Sequence, residues 1–464
     1  MPRVAVAAPS RAITDAAIGV AEAGGSVVDV GIVAALTAMC TEPGICGPGG
    51  GGFMTIALPG RDPVVVDGYM ALPGIGFDGE PTVREVMMSY GGGIVTVVDA
   101  GSIAVPGAFA CFELASTEFG TAPWPVLMEA VAGAVETGFP LSASASLYLM
   151  EGAAPIYNSD PVARAALFDG DVPKALGSDV IFPGLAETLR EIGAEGASTF
   201  YEGDLAELIV SDLESRGGVM TRTDLASYEA VVRRPLTGAL GGFDLAIAPS
   251  IGGRALIDAV TSADLGEPQS LVAGLIDAFS RRYAATRSPS TISVAAGDSD
   301  GGAVAASFSA GYGSGVIPKG TGMLMNNSLG ETDLYPDGHG SLLPGERLIS
   351  NMAPSILIGD GSSVAVGSPG ADRITSALAF TLTRLANGDD LRDAIDHPRA
   401  HPEFVDDGVR LAVEPGIDMT GIGYPTREFE GLHMFFGGVN GAGMLRGKLE
   451  AHADSRRTGS VAST

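Results

Sequence analysis

Arg287-Ser-Pro-Ser290 leads into Thr291-Ile-Ser-Val-Ala-Ala-Gly297-Asp-Ser-Asp-Gly-Gly302-Ala303-Val-Ala-Ala-Ser-Phe-Ser309. Two β-prone stretches flank a centre, Gly297 to Gly302, made almost wholly of turn formers, so the run predicts a β-hairpin. The first strand opens on a threonine directly behind a Ser/Pro-containing segment. A Ser or Thr at a new chain N-terminus can act as a nucleophile without histidine. Its free α-amine, with a pKa near 7.7–8.0, can take the hydroxyl proton. Thr291 meets the positional requirement, a strand start behind a segment that can be cut. Many strand-opening threonines meet it too.

Working downstream, Ser355-Ile-Leu-Ile and Ser363-Val-Ala-Val predict a second hairpin turned by Asp360-Gly361. Ser368-Pro-Gly-Ala-Asp372 then opens a helix expected to reach about Ala386. Pro near the first turn fits an ordinary helix start. The backbone N–H groups of Gly370 and Ala371 would equally suit a developing oxyanion. The Ser/Thr/Gly-rich tail after Arg456 is expected to be loose.

Upstream, Ser10 and Ser26 are expected to cap two helices separated by Gly24-Gly25, the second ended by Pro43. Gly44-Ile-Cys-Gly-Pro-Gly-Gly-Gly-Gly52 follows and leads into the strand pair Phe53-Met-Thr-Ile-Ala and Val64-Val-Val-Asp. A phosphate loop would need a Lys and a Ser/Thr on the next helix turn, and a dinucleotide fingerprint would follow a strand. What remains is a tight helix-to-strand connection or a loop lining a pocket. Residues 106–152 and 183–230 read as mainly helical, Phe243 to Ala248 as a strand, and a helix is expected from Ile251 toward about 285. The fold class is α/β (α+β), sheet-rich at the centre with helices outside.

Composition excludes several functions. The 464 residues carry 55 acidic and 27 basic side chains, a formal charge of −28. Neither nucleic acid nor an anionic membrane suits such a surface. Cys40, Cys46 and Cys111 are too few for a disulfide framework. His339, His397, His401, His433 and His452 show no zinc-helix spacing, and with no Gly-x-Ser-x-Gly elbow a Ser-His-Asp triad is not expected. The opening Met1-Pro-Arg-Val-Ala is a poor signal peptide and no run reaches ~20 apolar residues, so a cytoplasmic, membrane-free protein is expected.

Many further segments carry a family resemblance. They are Ala21-Glu-Ala-Gly-Gly-Ser-Val-Val-Asp29, Glu42-Pro, Gly47-Pro-Gly-Gly-Gly-Gly-Phe53, Val105-Pro-Gly107, Phe200-Tyr-Glu-Gly203, Asp224-Leu-Ala-Ser-Tyr228 and Arg234-Pro-Leu236. Beyond Thr291 come Gly320-Thr-Gly-Met-Leu-Met-Asn-Asn327, Ser350-Asn-Met-Ala-Pro354, Gly367-Ser-Pro-Gly370 and Asp454-Ser-Arg-Arg-Thr-Gly459. In this order they resemble the γ-glutamyltransferases (γ-glutamyl transpeptidases, glutathione hydrolases), which are N-terminal-nucleophile hydrolases. The resemblance covers nearly the whole chain. It implies a four-layer αββα sandwich, made as a precursor that cuts itself before a Thr. The pieces here would be 1–290 and 291–464, intertwined in one unit, with no cofactor or metal.

The resemblance also assigns roles. Thr291 matches the nucleophile, although Ile292-Ser293 replaces the usual Thr-His behind it. Ser309 stands where a Thr hydroxyl supports the nucleophile. Gly370 and Ala371 match the Gly-Gly pair of the oxyanion hole. Ser350 matches a Ser that helps hold the substrate's α-carboxylate, with Asn351 in place of a second Ser, and Glu331 replaces an Asp that binds the α-amino group. Tyr69 stands where an Arg holds the α-carboxylate, and Gly311 where an Asn reads the same end, in a loop two residues shorter than usual. The expected activity is a self-processing Thr amidohydrolase or acyltransferase acting on γ-glutamyl amides such as glutathione. The alternatives are an acylase for another amide, of the cephalosporin-acylase kind, and a binding or scaffold protein without turnover.

Overall fold

The computed structural model describes residues 2–88, 94–281, 291–331, 340, 342–405 and 407–464. Residues 287–290, just before the expected cleavage point, and His339 lie outside them.

Two antiparallel sheets face each other. Among the described residues the first has seven strands. Their order is Val231–Arg233, Val64–Gly68, Gly51–Ala57, Ala303–Ser309, Ile292–Asp298, Val4–Ala8 and Ser460–Ser463. The second has six: Leu236–Leu240, Phe243–Ile247, Ser355–Gly359, Ser362–Gly367, Asn440–Leu445 and Lys448–Ala453. Each sheet draws strands from both sides of Thr291. The hairpin expected after Thr291 forms at the centre of the first sheet, with Ile292 opposite Phe308 and Gly297 opposite Ala303. The second hairpin turns where expected, with both Asp360 (φ 51°) and Gly361 (φ 68°) left-handed.

Side-chain alternation sets the layers. Ile292, Val294 and Ala296 point into a core shared with the helices Arg11–Glu22, Val27–Thr41, Ala108–Phe119 and Trp124–Glu136. On the outer face of the second sheet, Leu245, Leu357 and Val364 pack on the helices Ile251–Ser262, Pro268–Ser280 and Arg373–Ala386. Between the sheets lie mostly alanines: Ala57, Ala295, Ala303 and Ala305 meet Ile356, Ala365 and Ala442. The result is the four-layer αββα arrangement.

The helix Val27–Thr41 is buried along its whole length, which suits its small, apolar sequence. Its start is fixed by a reciprocal cap, in which the Ser26 hydroxyl accepts the Asp29 N–H and Asp29 accepts the Ser26 N–H. The glycine loop after it is a helix-to-strand connection with backbones in contact. A Cβ at Gly50 would lie 2.3 Å from the Ser309 carbonyl oxygen, and one at Gly52 would lie 2.1 Å from that of Ser307.

Three expectations are corrected. The tail is not loose: Ser460–Ser463 pairs with Val4–Ala8 and closes one sheet edge. The helix from Ile251 stops at Ser262, and a second starts at Pro268, where the ring suits the first helical turn. Ser10 occupies the N-cap position, but its hydroxyl makes no capping bond. No helix among the described residues is long and apolar enough to cross a membrane.

The close inter-sheet contact is testable. A Cβ at Gly297 would fall 2.3 Å from the Gly443 Cα, where only backbone could yield. Gly297→Ala is therefore expected to destabilise the fold by about 3 kcal/mol, read from the midpoint of denaturant unfolding. An unchanged midpoint would refute the contact.

Candidate active site

Thr291 is the residue before the central strand Ile292–Asp298 and is almost fully buried. Ile292 pairs with Phe308, so the register places Ser309 directly across from Thr291. Alternation turns Thr291 away from the helix core, toward the second sheet. It borders a small cavity lined also by Pro9, Glu42, Ser144, Pro369, Gly438, Asn440 and Arg457.

Pro369 begins the turn that carries the expected oxyanion donors. The Ser368 hydroxyl donates to the Pro369 carbonyl and accepts the Gly438 N–H, which ties the turn to the next segment. Gly370 has φ 129° and Ala371 φ 62°, and the Gly370 carbonyl accepts the Arg373 N–H at 3.0 Å. The N–H groups of Gly370 and Ala371 donate to no partner among the described residues, although both residues are buried. An unpaired buried amide costs about 1–3 kcal/mol, so two in succession call for a ligand or transition state that takes them. Ala371 adds strain, because a left-handed alanine costs roughly 1–2 kcal/mol. Such strain concentrates at functional turns.

A second group gathers around the loop after Ser309. The Gly311 N–H donates to the Ser309 hydroxyl at 3.1 Å. Glu331 is buried, and the Ser328 hydroxyl donates to its Oε1 at 3.4 Å and contacts the Met70 sulfur at 3.1 Å. The Leu348 N–H donates to the Met70 carbonyl, which brings Ser350 and Asn351 to the same end of the sandwich. Ser350 Oγ accepts the Met352 N–H. Tyr69 packs its ring on Phe53 with centroids 5.5 Å apart, and its carbonyl accepts the Tyr228 hydroxyl.

The chain matches the profile of one known family over residues 14–264 and 267–464, described as gamma-glutamyltranspeptidase. It belongs to that family. It is 27% identical to the glutathione hydrolase proenzyme of Pseudomonas aeruginosa, over 98% of this chain and 93% of the relative. It is 26% identical to the acylase ACY 1 proenzyme of Pseudomonas sp. strain V22, over 82% and 79%. Among solved structures, the cephalosporin acylase of Bacillus halodurans superposes with a TM-score of 0.82 at 20% identity, covering 99% of this chain and 96% of that one. That last likeness shows the fold.

Within this family the chain's departures gain physical reasons. Gly311 is left-handed, with φ 66°, and a Cβ there would lie 2.2 Å from Asn327 Oδ1 and 2.6 Å from Glu331 Oε1. An Asn there would require the side-chain ends of Asn327 and Glu331 to move. The Gly311 N–H is taken by the Ser309 hydroxyl and is no spare donor for a carboxylate. Asn326 and Asn327 matter more than their motif suggested. Asn326 bridges the Ala104 backbone and the Gly49 carbonyl, and Asn327 accepts the Tyr312 N–H while donating to Thr96 and Val97. The two side chains lock the loop carrying Glu331 to the glycine loop and to the strand Ile94–Val98. Paired buried Asn residues were the available signal.

Sequence patterning gave no hint of a buried ionic quartet nearby. Arg399 pairs with Asp454 at 2.7 Å, and Arg456 pairs with Asp454 and Glu414. Burial alone would raise the Asp454 pKa, but Arg399 and Arg456 hold it below its ordinary value. The quartet fixes the turn that delivers Arg457, Thr458 and Gly459 to the Thr291 cavity.

Ala371→Gly should keep both N–H groups and relieve the left-handed strain. A gain of about 0.5–1 kcal/mol in denaturant unfolding is expected, after allowing for glycine's greater freedom when unfolded. A loss of stability would show that the alanine methyl contributes packing that outweighs the strain.

Proposed function

We propose that the chain cuts itself between Ser290 and Thr291 and then works as an amidohydrolase or acyltransferase through Thr291. Thr291 Oγ attacks an amide carbonyl, and its own freed α-amine accepts the proton. The N–H groups of Gly370 and Ala371 hold the oxyanion, and the Ser309 hydroxyl steadies the nucleophile. The acyl group passes from Thr291 to water or to an amine. No cofactor or metal is needed for these steps. The pieces 1–290 and 291–464 stay together, a reading supported by sheets that take strands from both. The observation that carries the proposal is a buried, strand-opening threonine that shares a cavity with Pro369, the residue directly before the two unpaired amides.

The acyl group we assign first is γ-glutamyl, as in glutathione. Glu331 takes the α-ammonium, and Ser350 and Asn351 contribute to the α-carboxylate. One observation favours a second reading, an acylase for a different amide. Tyr69 replaces the Arg and is packed on Phe53, and an Asn at 311 would displace the side-chain ends of Asn327 and Glu331. A carboxylate then lacks the partners that the family's Arg and Asn supply, and a buried one without a charged partner is rejected strongly.

Thr291→Ala should leave one full-length chain on a denaturing gel and abolish amidase activity. Wild type that remains whole while turning over substrate would rule out the α-amine as base. In the cut enzyme the unprotonated amine is the active form. Activity should therefore fall as pH drops through about 7.7–8.0, or somewhat lower where the amine is partly desolvated. A rate flat from about pH 5 to 9 would contradict this.

Tyr69→Arg should improve γ-glutamyl-anilide turnover by about 1–3 kcal/mol in kcat/KM, mostly through KM. Tight γ-glutamyl binding by wild type, abolished by Tyr69→Arg, would show that another group holds the carboxylate. A parallel screen with plain acyl anilides separates the two substrate readings.

A further inference from the structure

Self-cleavage, as proposed above, needs a proton acceptor that turnover does not. Before the cut, the Thr291 nitrogen is a peptide amide and cannot take the hydroxyl proton. Another base must lie within reach of Thr291, directly or through one water. The cavity beside Thr291 measures about 30 Å³, room for a water. Three ionisable side chains line it among the described residues, namely Glu42, Asp454 and Arg457. Arg457 has no acceptor. Asp454 is occupied on both oxygens, Oδ2 by Arg399 and the Val439 N–H, Oδ1 by Arg456.

Glu42 differs from both. It follows the helix Val27–Thr41 and is fully buried. The Ser142 hydroxyl donates to its Oε2, while Oε1 has no hydrogen-bond partner among the described residues. We infer that the Glu42 carboxylate is the base of self-cleavage, taking the Thr291 hydroxyl proton directly or through a water in the shared cavity.

The step balances. Thr291 Oγ bonds to the Ser290 carbonyl carbon and its proton passes to Glu42. The carbon–nitrogen bond to Thr291 then breaks, and the nitrogen takes the proton back from Glu42, leaving an ester and a free α-amine. Water hydrolyses the ester, giving the Ser290 carboxylate and restoring the Thr291 hydroxyl. From then on the amine serves as the base.

The electrostatics agree. Burial pushes the Glu42 carboxyl up to about 7, against the lowering effect of the Ser142 hydroxyl and of the Ser10 hydroxyl, which stands close without a hydrogen bond to Oε1. An acceptor near neutrality suits this role. The other charged groups lining the cavity, among the described residues, are Arg457 and the paired Asp454. The nearby Cys46 thiol is pushed well up by burial and stays protonated.

The test follows cutting into 1–290 and 291–464 on denaturing gels after pulse-labelled cell-free synthesis, from about pH 5.5 to 8.5. Wild-type cutting should speed up with pH and level off above about 7, because the carboxylate is the active form. Glu42→Gln should slow cutting at least ~100-fold and lose that pH step, with Glu42→Asp in between. Turnover per cut chain should fall less than ~10-fold in the Gln variant. The uncuttable Thr291→Ala and Thr291→Ala/Glu42→Gln chains should melt alike.

Glu42→Gln cutting with the wild-type rate and pH profile would overturn the assignment while leaving self-cleavage standing. So would equal losses of cutting and turnover, or a collapsed melt in the double variant, since Glu42 would then be structural. Wild type that is never cut would overturn self-cleavage and this base together.

Discussion

The two sheets of this protein touch backbone to backbone. Sheets packed face to face ordinarily stand about 10 Å apart, filled by large side chains. Here Gly297 lies against Gly443, and the surrounding layer is mostly alanine. The close approach lets Pro369, Gly438 and Asn440 of the second sheet and its connections border the same cavity as Thr291 on the first. Under the proposed mechanism, Thr291 on one sheet and the Gly370 and Ala371 amides on a turn leaving the other can meet only while that spacing is held. Small residues between the sheets are thus a requirement of the site as much as of the core.

Charge fixes what packing leaves loose. Arg399, Glu414, Asp454 and Arg456 form a closed set of two cations and two anions, all buried. Such a set gains little over apolar packing in net stability, but removing one member leaves a buried charge uncompensated. Its directional bonds also reach backbone: Asp454 accepts the Val439 N–H, Glu414 accepts the His433 and Arg399 N–H groups, and the Ile395 carbonyl accepts from both guanidinium groups. The segments beside the turn at Gly370 and Ala371 and the C-terminal strand are positioned together by that one network.

Local chemistry was legible in the sequence, and non-local chemistry was not. Both hairpins were readable because their turns, Gly297 to Gly302 and Asp360-Gly361, carry residues that turns require. The break between Ser262 and Pro268 had its own signals, Gly266 and Pro268, set within an otherwise helical pattern. The strand Ser460–Ser463 had none, because it forms by pairing with Val4–Ala8 from the opposite end of the chain. The fold and the order of motifs followed from the family resemblance. The left-handed Ala371, the crowded position at 311 and the lone oxygen of Glu42 depend on contacts between segments far apart in sequence.

The two departures at the substrate end are physically unequal. At position 69 the backbone is ordinary and held by Tyr228, so the choice between Tyr and Arg is one of side chain alone. At position 311 the backbone itself has changed. The shortened loop turns left-handed and brings Asn327 and Glu331 to where a Cβ would stand. Restoring the family residue there would clash with the acid assigned to the α-ammonium and with the Asn327 contacts that hold its loop. A route from this site to a fuller γ-glutamyl clamp therefore runs more directly through position 69, or through two inserted residues after Ser309, than through a substitution at 311. The loop length commits the site further than either residue identity does.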